Sequence, residues 1–281
     1  LGVLLGLGLG GYGAWRGGAW VLDQLIYENS AFAIRDIEAQ TDGVISVQQL
    51  RRWANVRPGQ NLLALDIARV KRDLEMVPAL ATVTVERVLP RTLRIRVTER
   101  EPVLQVAVPR MTAQGVMDSV VFHLDANGVV MLPLDPSQRT KPFLQPDDGL
   151  PLLSGLKQMD LKLGRPIESP AVQAALELAT EFAHSPMAGL VDLKRIDVST
   201  PEVLLVVTGQ GSEVTFGLAN VPQQLVKWRQ VYEEGQRQRK GNMASLDLSV
   251  ANNSPVRWLD PKIIPPPAKP PKPIRSKKRN V

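Results

Sequence analysis

The sequence predicts an α+β protein, and three observations carry that reading. Residues 81–103, ATVTVERVLPRTLRIRVTEREPV, alternate twice: Val83 and Val85, then Leu93, Ile95 and Val97, point one way, while Thr82, Thr84 and Glu86, then Thr92, Arg94 and Arg96, point the other. Period two marks strands with one buried face. Two capped amphipathic helices precede this stretch. Behind it, short strands punctuated by turn signals are joined by two further helices, a mixed and mainly antiparallel β-region with flanking helices.

Residues 1–15 are apolar and rich in Leu and Gly, and Arg16 follows among Tyr12, Trp15 and Trp20. Fifteen helical residues reach about 22 Å, short of the roughly 30 Å hydrocarbon core. The sequence begins without Met and its aromatic residues suit a membrane interface, so the expectation is one transmembrane helix cut inside its span. A signal-peptide core is the alternative. Gly2, Gly6 and Gly10 have the spacing that lets membrane helices approach closely. Leu22, Leu25 and Ile26 would continue the helix as a stem, giving an anchor and stem over 1–27.

The next unit starts with an alternating strand at 34–39. Ser46 followed by Gln49 is a capping box, after which Val47, Leu50 and Ala54 share a helix face. Asp66 caps a second helix striped by Ile67, Val70, Leu74 and Val77 and ended by Pro78. The two alternating runs then form a hairpin, because Pro90 in Leu89-Pro90-Arg91 fixes φ and has no donor for the ladder. Pro102 disfavours helix at Glu101 and passes an extended chain onward.

Further along, strands at 120–124 and 129–132 flank Asp125-Ala126-Asn127-Gly128, whose Asn-Gly signals a hairpin with φ > 0 at both residues. Ser169 caps a helix with Pro170 in its first position and Val172, Ala175, Leu176, Ala179 and Phe182 inward. Strands at 195–199, 203–208 and 213–216 lead to a helix from Asn220 with Leu225, Trp228 and Tyr232 as its stripe. Residues 236–241 read as a polar loop. The last strand is 244–250, in which Leu246, Leu248 and Val250 alternate with Ser245, Asp247 and Ser249. Residues 261–281 alternate proline with lysine and cannot bury enough apolar surface to offset their ordering entropy, so a disordered, partly polyproline II tail is expected. It reads as a solubilising terminus, with adhesion to anionic lipid headgroups or wall polymers as the alternative.

Composition removes most chemistry. There is no cysteine, hence no disulfide framework, thiolate nucleophile or Cys-based metal site, and only His123 and His184 are present. The net charge is +6, but the tail from Pro261 carries seven Lys and Arg and no acid, which leaves the rest near −1. The body is therefore no basic nucleic-acid binder. His123 and Asp125 share a strand face with no nucleophile in evidence. Asp147-Asp148 reads as a solvated turn, no G-x-x-x-x-G-K loop occurs, and Trp228 with Tyr232 reads as core. The expectation is no enzyme, no cofactor, no metal, no small-molecule substrate and no nucleic acid.

The order strand, helix, helix, strand, strand, with the turn Pro58-Gly59-Gln60-Asn61-Leu62 and the closing Glu-Arg-Glu-Pro-Val, resembles a POTRA domain, that of the FtsQ (DivIB) family of bacterial cell-division proteins. The later region resembles the family's β-domain in Leu-Asp-Ala-Asn-Gly-Val-Val at 124–130, Leu-Pro-Leu-Leu-Ser-Gly at 150–155, Phe-Gly-Leu at 216–218 and Asp-Leu-Ser-Val at 247–250 before Val256-Arg257-Trp258. Where the family often has a basic then an aromatic residue near the last strand, this chain has Ser249 and Val250. The resemblance implies an anchor at 1–27, a POTRA-like domain at 32–101, a β-domain at 102–260 and a tail at 261–281. It also implies a non-enzymatic scaffold of the divisome acting in septum formation: single-pass in the inner membrane and in contact with its lipid, with the bulk of the chain outside the cytoplasm. Its implied partners are an FtsB-like bitopic protein paired with an FtsL-like one, and other divisome membrane proteins. A POTRA-bearing component of a protein transport or outer-membrane assembly system is the alternative function. Such proteins end in a large barrel of alternating strands, whereas this chain ends in a helix, a strand and a charged tail.

The partner site is expected at the last strand, whose place before the tail suggests a sheet edge with unpaired donors and acceptors. Ser245, Asp247 and Ser249 would face outward. The family's aromatic position falls on Val250 and its later tryptophan on Trp258, which with Arg257 would anchor a partner, and Asn252 would offer a backbone donor. The alternative is that Trp258 seals the end of the sheet.

Overall fold

The computed structural model describes residues 29–111, 115, 117–140, 149–238, 240–250 and 253–259. The expected anchor at 1–27 and tail at 261–281 lie outside the described residues, as do Asp147, Asp148 and Asn252. No helix of the described residues is long and apolar enough to cross a membrane.

The first unit runs β1 (Asp36–Thr41), α1 (Val47–Ala54), α2 (Ile67–Glu75), β2 (Leu80–Val88) and β3 (Thr92–Glu99). Its three-stranded sheet has the order β1-β3-β2, with β2 and β3 as the expected antiparallel hairpin and β1 parallel to β3. The Leu89–Pro90 peptide bond at the turn is cis. Ser46 Oγ accepts the Gln49 N–H at 3.2 Å and Asp66 Oδ1 the Arg69 N–H at 3.0 Å, so both N-cap bonds are made, but the expected capping box is not closed because the Ser46 N–H donates to Gln138 O. Leu50, Ala54, Val70 and Leu74 bury against Val83, Leu93, Ile95 and Val97 in one core. Val47, expected on the buried face of α1, is instead exposed. Side chains tilt toward a helix N-terminus, and Val47 is the first residue of α1, so it overhangs the end of the stripe.

The second unit holds β4 (Pro102–Met111), β5 (Met117–Asp125), β6 (Val130–Met131), β7 (Leu152–Ser154), α3 (Pro170–His184), β8 (Leu193–Asp197), β9 (Val203–Thr208), β10 (Glu213–Gly217), α4 (Val221–Arg237), β11 (Met243–Asp247) and β12 (Val256–Trp258). One nine-stranded sheet has the order β12-β11-β10-β9-β8-β7-β4-β5-β6. Most neighbours are antiparallel, while β4–β7, β7–β8 and β10–β11 are parallel. Helix α3 packs on β4 and β9, α4 on β10, and the two helices on each other. Leu104, Val106, Ile196, Leu204, Val206, Val214, Phe216 and Leu246 turn toward them in a second core, which leaves the opposite sheet face without helices.

Three local expectations change. Sequence pattern did not resolve the ten-residue β4, which pairs along nearly its whole length with β5. At the Asn-Gly turn only Gly128 has positive φ, because the Asp125 carboxylate accepts the Asn127 and Val129 N–H groups and holds the turn itself. Ser169 precedes α3 without a side-chain cap bond.

The units are tied together. Arg100 Nη1 donates to Asp125 Oδ2 at 2.7 Å, and the segment before Thr140 crosses back onto the first unit. There the Ser46 N–H donates to Gln138 O and the Thr140 N–H to Val44 O, both at 2.7 Å, and Leu134 packs on the first core.

Candidate partner-binding edge

Helix α4 positions the end of the large sheet. Asn220 enters it in the left-handed conformation at φ 58° and Pro222 occupies the first turn, where a missing N–H costs nothing. Val221, Leu225 and Trp228 are buried and Tyr232 is half-buried, so this stripe is core. Trp228 meets Phe216 edge-on, with ring centroids 5.8 Å apart, and Phe182 at 6.0 Å.

Near its C-terminus α4 carries Gly235, a costly residue inside a helix. The reason lies across the sheet edge: a Cβ added at Gly235 would fall 1.9 Å from Trp258 Cη2. The indole of Trp258 lies on bare helix backbone and fastens β12 to α4. Nothing in the local sequence pattern of α4 announces this contact.

The expected final strand at 244–250 is corrected in length, pairing and facing. It is β11, it ends at Asp247, and it is flanked by β10 on one side and β12 on the other, so it is no edge. It stops because Asp247 Oδ1 accepts both the Ser249 N–H at 2.9 Å and the Ser249 hydroxyl at 2.6 Å, which turns the chain. Leu246 and Leu248 are buried as expected, but Val250 lies beyond the strand and is exposed. Ser245 and Asp247 are half-buried on the helix-free face, where Ser245 pairs with Arg257. The structure therefore brings Ser245, Arg257 and Trp258 together and leaves Ser249 and Val250 on the connecting turn.

The edge among the described strands is β12. Pro255 O accepts from the Asp247 N–H at 3.0 Å and the Leu259 N–H donates to Asn242 O at 2.8 Å. Residues of an antiparallel strand alternate in the direction of their backbone groups, so the N–H and C=O of Val256 and Trp258 point away from β11. Beside that free ladder, Val231, Glu234, Gly235, Gln238, Val256 and Trp258 line a groove of about 500 Å³. Its walls combine exposed Val256 and half-buried Trp258 with polar groups, among them Glu233 and Glu234, which pair with Arg237 at 3.9 Å.

The remaining reactive groups are structural. Among the described residues no grouping of His and acids could hold a metal ion. His123 and Asp125 are both buried, with Asp125 engaged by Arg100 and its turn. The hydroxyl of Ser199 on Asp197, helped by Ser154, holds the Asp197 carboxyl below its usual range.

A family model for the FtsQ-type POTRA domain matches residues 32–100. The chain is 26% identical over 253 residues to the cell division protein FtsQ of Geobacter sp. (strain M21), covering 90% of this chain and 82% of that one. It is 27% identical over 267 residues to that of Myxococcus fulvus, covering 92% and 84%. With that of Allochromatium vinosum the identity is 28% over 263 residues, covering 92% and 88%.

Proposed function

Because the chain belongs to the FtsQ family of cell-division proteins, we propose that it captures an extended segment of a small bitopic division protein of the FtsB kind, itself paired with an FtsL-like protein, by strand addition at β12. It is a division protein and not an enzyme. The observation that carries the proposal is the outward ladder of Val256 and Trp258 beside an apolar groove. Main-chain hydrogen bonds from such an edge give affinity, and pockets for alternate side chains give specificity. The groove over Gly235 receives the apolar side chains of the added strand, and exposed Arg257 meets an acidic one. In this reading residues 1–27 anchor the chain in the inner membrane and hold both units outside the cytoplasm, and protease added to spheroplasts digests the body.

The test is affinity for a soluble FtsB-like fragment, measured with thermal unfolding. Val256→Pro removes an outward N–H and leaves the described bonds to β11 in place. It should weaken binding by about tenfold or more, the worth of a hydrogen bond with its desolvation. Trp258→Ala should weaken binding as well. Unchanged affinity in both folded variants would place the interface elsewhere.

A further inference from the structure

The helix-free face of the nine-stranded sheet carries an ordered pattern of its own. Residues directly opposite one another on paired strands share a face. One row across it reads Leu152, Arg195, Val207, Glu213 and Ser245, from β7 to β11. The next reads Asp197, Leu205 and Thr215. Its centre is β9, where Leu205 is 37% exposed and Val207 half-buried, apolar side chains that neither α3 nor α4 covers. Arg195 and Glu213 stand one strand to either side of Val207, both exposed; no close salt bridge among the described residues takes up either, and Arg195 acts on Asp197 of its own strand through its charge alone.

The hollows beside β9 repeat this polarity. On the β8 side a depression of about 700 Å³ is lined by Lys194 and Arg195 with Asp192. On the β10 side one of about 250 Å³ is lined by Glu213 and Asp247 with Arg257. A cationic and an anionic hollow thus flank an apolar ridge.

We propose that this face binds the same face of a second copy of this chain, about a two-fold axis running along β9. Such an axis lies in the interface plane, keeps each row opposite itself and exchanges the two sides of β9. Leu205 and Val207 then meet their own counterparts. Arg195 of each copy faces Glu213 of the other, so two ion pairs form for one apolar centre. A two-fold running across the strands would set Arg195 on Arg195 and is disfavoured. The arrangement is isologous and closed, so it gives a dimer and not a filament. Aligned packing of the two sheets, about 10 Å apart, puts the guanidinium and carboxylate within reach. The same axis sets β12 of each copy, three strands from β9 and roughly 14 Å away at about 4.8 Å per strand, opposite β4 of the other, and the outward backbone groups of β12, which lie in the plane of the sheet, take no part in the pairing of the two faces. The inference does not depend on what that edge binds.

The experiment is sedimentation equilibrium of the full chain in detergent micelles over a range of concentrations, with thermal unfolding as the folding control. The natural chain should be a dimer. R195E and E213R each set like charges opposite one another twice and should weaken self-association by about a hundredfold. Mixed one to one, the two variants should associate again, because R195E supplies acids at both positions and E213R bases at both. Leu205→Asp at the axis should also give a monomer. A monomeric natural chain overturns the proposal, as does a dimer indifferent to R195E, E213R and Leu205→Asp or a mixture that fails to associate.

Discussion

The two sheets follow one plan, with helices on one face and the other face open, yet the open faces differ. On the small sheet every long polar side chain finds a neighbour within the sheet. Arg94 Nε donates to Glu38 Oε2 at 2.8 Å, Arg96 Nη1 reaches Glu86 Oε2 at 3.4 Å and Gln40 lies 3.3 Å from Arg96 Nε. The Thr82 and Thr98 hydroxyls bond at 2.8 Å. On the large sheet the corresponding centre is Leu205 and Val207, and the charges beside them, Arg195 and Glu213, are separated by that ridge. Cross-strand pairs that close on themselves make a surface content with water, whereas separated charges around an apolar ridge make one that another surface completes.

The comparison breaks most readily at the small sheet, because it assumes that the buried and open faces of β3 are assigned correctly. Ile95 is fully buried and Arg94, its neighbour, lies on the open face. Ile95→Ala should cost about 2–5 kcal/mol in chemical denaturation through lost burial and the cavity left behind. Arg94→Ala should cost at most about 1 kcal/mol, the range of exposed ion pairs. Equal losses would mean that the register is wrong and the open face misidentified.

A smaller effect sharpens the picture at the edge of the large sheet. Gly235→Ala should gain up to about 1 kcal/mol of helix propensity. The added methyl occupies the place of the Trp258 ring, and overpacking of this kind costs about 1–3 kcal/mol. The net expectation is a loss of about 1–2 kcal/mol with a changed tryptophan emission as the indole leaves α4. A gain in stability with unchanged emission would show that Trp258 does not hold β12.

How much of this was legible in the sequence follows from how local each feature is. The hairpin of β2 and β3, both helix caps of the first unit and the buried Trp228 stripe were readable, because period, capping spacing and turn chemistry all act within a few residues. The long β4 was hidden because Pro102 and Pro109 interrupt a strand pattern that only the β5 partner confirms. The edge was misplaced by one strand, since the short β12 gains its place from Trp258 on Gly235, a contact between positions that no periodicity links. The row on the open face was invisible for the same reason: Arg195, Val207 and Glu213 are brought together only by the strand order.

The smallest effect concerns Asp197, an acid of the neighbouring row that the large sheet, as with Asp247, satisfies internally. Asp197 accepts from the Ser199 hydroxyl, from the Ser199 N–H at 2.9 Å and from the Ser154 hydroxyl at 2.7 Å. The Ser199 hydroxyl bond is the largest cause of its lowered pKa, and burial opposes it. A carboxyl depressed in the folded state binds its proton more readily when unfolded. Its stabilisation is therefore present above the unfolded value, near 3.8, and lost as pH falls through the lower folded value. The difference in unfolding free energy between the natural chain and Asp197→Asn should be flat from neutral pH down to about pH 5 and shrink below about pH 4. Denaturant midpoints measured across that range read it directly. A difference that grows on acidification would mean that the Asp197 carboxyl is raised in the folded chain and that the Ser199 and Ser154 hydroxyls do not hold its charge.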